Sequence, residues 1–197
     1  MKTLQKLLML LLSLFFVAAC SKTDDPVLED SLLLKSAQPI SVTVPFEAHM
    51  LGTPILIDFE NSDCAQEGNP VHVIAEAEGT ATHMGKVHIT FEFCAGGEDP
   101  EITVPHMTVG PNSLVMTAAN GDELFLSTEG GAVIFGRTDE HPENVIDYWK
   151  YPYTITGGTG NFEEAEGVIY SDDYDTSLNE QSVHNWYGTI KLIKGKR

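Results

Sequence analysis

The sequence predicts a single all-β domain of about eight antiparallel strands, and three observations carry that prediction. Apolar residues recur with period two, turn-forming residues punctuate the chain roughly every 8 to 12 positions, and no stretch shows an apolar helical stripe with caps at both ends. The composition agrees. A chain of 197 residues, 42% hydrophobic and 9% aromatic, holds enough apolar material for one folded core of ordinary size. Its 29 acidic and 11 basic side chains give a formal charge of −18. Phosphate contacts need lysine or arginine, so this balance excludes nucleic acid as a partner.

The N-terminus decides the compartment. Lys2 and Lys6 precede an almost wholly apolar run over 7–19, and Val17-Ala18-Ala19-Cys20 follows, as in a secretory signal. At about 1.5 Å per residue that run makes a helix of about 20 Å, too short for a hydrocarbon core of about 30 Å. The tetrapeptide resembles the bacterial lipobox, which implies cleavage before Cys20, acylation of Cys20 (palmitate and related chains) and membrane anchoring through it. A plain cleaved signal with an incidental cysteine is the alternative. Ser21 after the cysteine resembles lipoproteins sorted to the outer membrane, and Ser21-Lys22-Thr23-Asp24-Asp25 resembles an acidic surface-export tag, against a merely solvated linker. The expected organisation is a signal peptide over 1–19, a lipidated N-terminus and acidic tether over 20–40, and the β domain over 41–197. Loss of 1–19 removes two lysines and no acid and leaves 20 excess negative charges. A chain this acidic is repelled by anionic lipid, so acyl chains must do the anchoring.

Export also frames the other cysteines. Cys64 and Cys94 are an even pair in an oxidising compartment, which predicts one disulfide, worth on the order of 3 to 4 kcal/mol in the chain-entropy account. A catalytic thiol or a metal pair is the alternative, but neither cysteine lies in a CxxC or near a histidine at ligand spacing.

The strands follow in order. Val71, Val73, Ala75 and Ala77 oppose His72, Ile74, Glu76 and Glu78; Val87, Ile89, Phe91 and Phe93 alternate with His88, Thr90, Glu92 and Cys94. Asn120-Gly121 joins strands over 113–118 and 123–127, because both turn positions favour φ > 0. Near the end Trp186, Gly188, Ile190 and Leu192 oppose Tyr187, Thr189, Lys191 and Ile193. Turn signals at 67–70, 96–97, 110–112, 130–131 and 157–160 divide the runs, and no linker divides the domain. Such a pattern fits a sandwich or a barrel. Edge-blunting prolines within the strand-like stretches stand near Pro45, Pro105 and Pro152, a sparse set that leans toward closure.

The segment Gly157-Gly158-Thr159-Gly160-Asn161-Phe162-Glu163-Glu164-Ala165-Glu166-Gly167 resembles the glycine-rich motif of the plant dirigent and allene oxide cyclase group. Gly79-Thr80-Ala81-Thr82-His83-Met84-Gly85-Lys86 and Thr117-Ala118-Ala119-Asn120-Gly121-Asp122 resemble companion motifs in bacterial secreted proteins that share it. The resemblance covers roughly 71–193 and implies an eight-stranded antiparallel barrel with a central cavity, often a homotrimer. Read physically, the motif is a structural turn. Its glycines permit left-handed backbone, Phe162 plugs a barrel end, and Ala165 and Gly167 allow close strand packing. A phosphate loop would need a GK[ST] ending and a receiving helix, and neither is present. The family's cavity residues have no counterparts that can be assigned here, so catalysis does not carry over.

The remaining chemistry is sparse. Seven histidines (His49, His72, His83, His88, His106, His141 and His184) form no local metal framework and are expected to be solvated. His83 is the weak catalytic candidate, placed where a strand begins and able to point into a barrel mouth; a hydrogen-bonded turn residue is the alternative. Asp172-Asp173-Tyr174-Asp175 lacks EF-hand spacing and reads as a solvated acidic face, with calcium as the alternative. Tyr148-Trp149-Lys150-Tyr151-Pro152-Tyr153 reads as core and edge packing, or as a platform for a sugar or an apolar ligand. The expected function is non-catalytic binding of a small apolar or amphipathic ligand by an outer-membrane or surface lipoprotein, without cofactor or metal. The alternatives are a cofactor-free isomerase or cyclase, and a module that binds protein or glycan. Side chains lining the interior discriminate: apolar for a binder, convergent polar groups for an enzyme, close packing for a scaffold.

Overall fold

The computed structural model describes residues 40–194. The signal segment, Cys20 and the tether up to residue 39 lie outside the described residues. The described chain runs β1 (Ile40–Asp58), a short helix α1 (Ser62–Gln66), β2 (Val71–Ala81), β3 (Gly85–Gly97), β4 (His106–Val109), β5 (Asn112–Ala118), β6 (Glu123–Thr128) and β7 (Gly131–Phe135). It continues through β8 (Val145–Trp149), β9 (Pro152–Gly158), β10 (Glu166–Ser171), β11 (Asp173–Thr176) and β12 (Ser182–Lys194). Every ladder is antiparallel, and β1 pairs with β12 from Ile40↔Lys194 to Gly52↔Ser182, which closes the sheet into a barrel.

Among the described residues twelve strands replace the expected eight, and the pairing explains the difference. One ring runs β1-β2-β3-β5-β6-β9-β10-β12, and a second runs β1-β2-β3-β4-β7-β8-β11-β12. Four strands are continuous through both rings. The other four positions around the barrel are each interrupted once, between β4 and β5, β6 and β7, β8 and β9, and β10 and β11. At these breaks the ladder is locally rerouted. Pro111 has no N–H to give. Gly130 has φ +84°, and a Cβ there would strike the Val109 carbonyl. Ser171 Oγ accepts from Tyr151 N at 3.1 Å, and Asp172 N donates to Asn185 O at 2.8 Å.

The two rings are filled differently. Phe46, Ile89, Met116, Leu124, Leu126, Ile169 and Ile190 pack the first ring into a solid core, sealed by Met84, Phe162 and Ala165 from the end turns. This is the floor. The glycine motif lies there: β9 ends at Gly157-Gly158, and a 3₁₀ turn over Gly160–Phe162 drops Phe162 into the core. Asp122 accepts from Asn161 N at 3.1 Å, Asn161 Nδ2 at 2.7 Å and Asn120 Nδ2 at 3.0 Å. These bonds, led by the Asn161 backbone, hold its carboxyl below the usual range. Gly160 has φ +55°, and a Cβ at that position would strike the Asp122 carboxylate.

In the second ring the buried apolar cluster shrinks to Ala95, Val109 and Val133, with Phe93, Met107 and Trp149 against it. This end is the mouth. Its rim carries the connections over 59–70, 98–105, 136–144 and 177–181. A disulfide ties Cys64 of α1 to Cys94 of β3, with Cα atoms 5.3 Å apart, and Asn61 caps α1 through bonds from Asp63 N and Cys64 N. Ile40 and Lys194 pair at the floor, so the described chain begins and ends opposite the mouth.

The contrast between the two ends is measurable with one substitution type. Met116→Ala in the floor is expected to cost about 2 to 5 kcal/mol in urea unfolding, whereas Met107→Ala, on a wall already bordering a cavity, costs less than half as much.

Candidate ligand cavity

The second ring encloses a cavity of about 380 Å³, within the size range of small-molecule sites. Its walls come from inward positions of every strand around the mouth. Val73 and Ala75 of β2, Phe91 and Phe93 of β3, Met107 and Val109, Val133, Trp149, Tyr151 and Tyr153 supply apolar and aromatic surface. The ionisable polar lining is Asp147, Asp175, Glu180 and His184, with Asn112, Thr176, Asn179 and Ser182 as neutral polar neighbours, and among the described residues no lysine or arginine lines the cavity.

Asp147 and Asp175 are directly opposed across the β8–β11 ladder. Like charges in that relation destabilise a sheet. Burial, reinforced by the charge of Asp175 and a hydrogen bond with it, pushes the Asp147 carboxyl up to about 7. Its Oδ1 is buried and has no hydrogen-bond partner among the described residues. The pair therefore holds a proton near neutral pH.

His184 stands on β12 beside it. Asp173, fully buried, accepts from Asn185 N at 3.0 Å with Oδ1 and from Trp186 Nε1 at 3.0 Å with Oδ2. Both oxygens thus serve as acceptors, and His184 Nδ1, 2.9 Å from Oδ2, is the ring nitrogen that carries the proton. The ring stacks on Phe91 with centroids 5.2 Å apart and meets the Trp149 edge at 5.8 Å. Nε2 lies over Gly52, where any Cβ would strike it. At the bottom Tyr153 stacks on Trp186 at 4.7 Å, and burial pushes the phenols of Tyr151 and Tyr153 up, so both are neutral.

The structure rearranges several expectations. The acidic run is not a solvated face. Asp173 is buried and Asp175 lines the cavity, while Asp172 turns outward to Lys150 Nζ at 2.8 Å and His141 Nε2 at 3.4 Å. Those two partners outweigh burial and hold Asp172 below the usual carboxylate range. The histidines are not uniformly solvated either. His184 lines the cavity, and His141 is buried between Tyr148 and Tyr174, with centroids at 4.8 and 5.6 Å. His83 lies in the exposed β2–β3 turn at the floor, with φ +66° and Nε2 3.0 Å from Pro45 O, away from the mouth. His72 and His88 face outward beside Glu92 and Glu78. Of the aromatic stretch, Trp149, Tyr151 and Tyr153 line the cavity and Tyr148 packs outside on His141. Among the described residues no three His, Cys, Asp or Glu side chains converge to hold a metal ion.

Asp147, Asp175 and His184 were missed as cavity residues, although a signal existed. On the odd positions from Val145 to Ile155 the alternation is unbroken, with Asp147 on the inward face; Ile169, Ser171, Asp173 and Asp175 repeat it. His184 shares parity with Trp186 and Ile190.

No protein-family model matches the sequence, and no curated protein matches it. Among solved structures, the chain is similar to a pterocarpan synthase dirigent protein, with a TM-score of 0.46 and 12% identity over 80% of this chain and 88% of that one.

The strained carboxylate has a pH signature. Asp147 binds its proton more tightly folded than unfolded, so its contribution to stability is fully present below about pH 4 and is lost as pH rises through about 7. Asp147→Asn should be more stable than the parent at pH 8, on the order of 1 to 2 kcal/mol once partial exposure is discounted. In urea unfolding the two proteins should converge near pH 4; equal stability at pH 8 would show that the pair is relaxed.

Proposed function

We propose that this protein is a lipid-anchored barrel that binds one small amphipathic molecule in the cavity at its mouth. The observation that carries the reading is the contrast between a solid floor and a hollow second ring lined by Phe91, Phe93, Trp149, Tyr151 and Tyr153. A fold that needed only stability would fill that ring as it fills the first. Anchoring is supported by the lipobox at Cys20. Outer-membrane sorting is supported by Ser21 alone.

Native mass spectrometry of protein from its own host should show a retained small molecule that is absent from Ala75→Trp, in which an indole fills the cavity. A parent protein with an empty cavity, or a variant that retains the same mass, counts against the reading. For the anchor, metabolic labelling with an alkyne fatty acid should mark the parent and not Cys20→Ser; label retained by the variant refutes it.

A second reading, a cofactor-free isomerase, is favoured by the convergence of His184, held by Asp173, with a carboxyl pair that keeps a proton near pH 7. Such groups are suited to moving a proton on a bound unsaturated substrate. Turnover of the retained molecule that disappears in His184→Asn, while the molecule still binds, would move the assignment to this reading.

A further inference from the structure

The charge and shape of the same cavity narrow its ligand. We propose that the cavity takes an organic amine: a cationic nitrogen at the Asp147–Asp175 pair, joined to an aromatic or aliphatic body that lies along the Trp149-Tyr151-Tyr153 wall. This rests on the ligand-binding reading above and deepens it.

Three observations converge. The first is order along one strand path. Inward positions alternate, so Asp147, Trp149, Tyr151 and Tyr153 descend from rim to floor in that sequence. The polar head of a ligand is thereby placed at the mouth and its apolar body below.

The second is the sign of the charge. Glu180 from the β11–β12 connection lines the same cavity as the two aspartates, and among the described residues no lysine or arginine lines it to neutralise them. An anionic ligand would meet three carboxyls and no fixed cation. A neutral hydroxyl could donate one hydrogen bond to the orphaned oxygen but would bring no charge to set against the pair. A cation is the partner that relieves like charges facing each other across a ladder. Asp147 Oδ1, buried without a partner among the described residues, shows that the protein itself supplies too few donors here.

The third is the wall. Trp149 is the next inward residue below Asp147, and Tyr151, Tyr153, Phe91 and Phe93 continue the aromatic lining; ring faces attract a desolvated cation.

Asp175 on β11 and Phe135 on β7 flank Asp147 in the two neighbouring ladders, so β7 brings it no charge. The other titratable groups lining the cavity are Glu180, His184 on β12, and the neutral phenols of Tyr151 and Tyr153. An arriving amine displaces the proton that the carboxyl pair holds, so affinity should rise with pH through about 7 and level off above it.

Three probes of one size test this by isothermal titration calorimetry at pH 8: 1-naphthylmethylamine, 1-naphthylmethanol and 1-naphthoate. The amine is expected to bind at least tenfold more tightly than the alcohol, and the carboxylate most weakly. In Asp147→Asn the advantage of amine over alcohol should collapse to within about threefold. At pH 5.5 the parent should lose most of that advantage too. Alcohol binding as tight as amine binding, or a preference undiminished in the variant, overturns the amine assignment and leaves the ligand-binding reading standing. If none of the three binds, the ligand-binding reading itself falls.

Discussion

Everything inside the barrel depends on one constraint, the ladder between the first and last strands. Pairing Ile40↔Lys194 through Gly52↔Ser182 closes the sheet, removes its edges and fixes which residues face inward. A slip of one residue would turn Phe46, Ala48 and Met50 outward. Because the residues brought together are far apart in sequence, this ladder is also a contact that local propensity cannot secure. Apolar residues at alternate positions of β1, Phe46, Ala48 and Met50, meet Trp186 and Ile190 of β12 inside, and that burial selects the register.

Closure creates two rings from eight positions, and the breaks in four of them separate the rings. Below the breaks, apolar side chains of both large and small volume fill the interior. Above them, the strands carry aromatic side chains and carboxyls that, apart from the stacking of Phe91 on His184, leave the interior unfilled, and a cavity results. The division also distributes stability. The floor holds the buried core and the capped glycine motif, while the rim depends on the Cys64–Cys94 bridge and on the contacts that His141 and Lys150 make with Asp172. Elements that bind are thus built on the less densely packed end, over a rigid base.

The strands and their polarity were legible because alternation is a local property. Val87 to Phe93 and Trp186 to Leu192 show it plainly, and Asn120-Gly121 marks its hairpin. The breaks were hidden, since Gly110-Pro111 and Gly130-Gly131 read equally well as turns between separate strands or as kinks within one. Only the pairing partners distinguish these. The cavity was hidden for a different reason. Aspartate at 147, 173 and 175 and histidine at 184 suggest solvent by residue type and interior by parity, and parity wins because closure leaves an inward position no route to the outside. The glycine motif, conspicuous in sequence, proves to sit at the sealed floor, far from the polar groups.

The central claim is that closure forces two opposed aspartates into an apolar cavity where they hold a proton near neutrality. Carbon-13 NMR of the side-chain carboxyls, followed from pH 3 to 9, tests it most directly. The account expects Asp147 to titrate near 7 and to fall toward the ordinary carboxylate range when Asp175 is replaced by asparagine. Titration of Asp147 near 4 in the parent protein would contradict it.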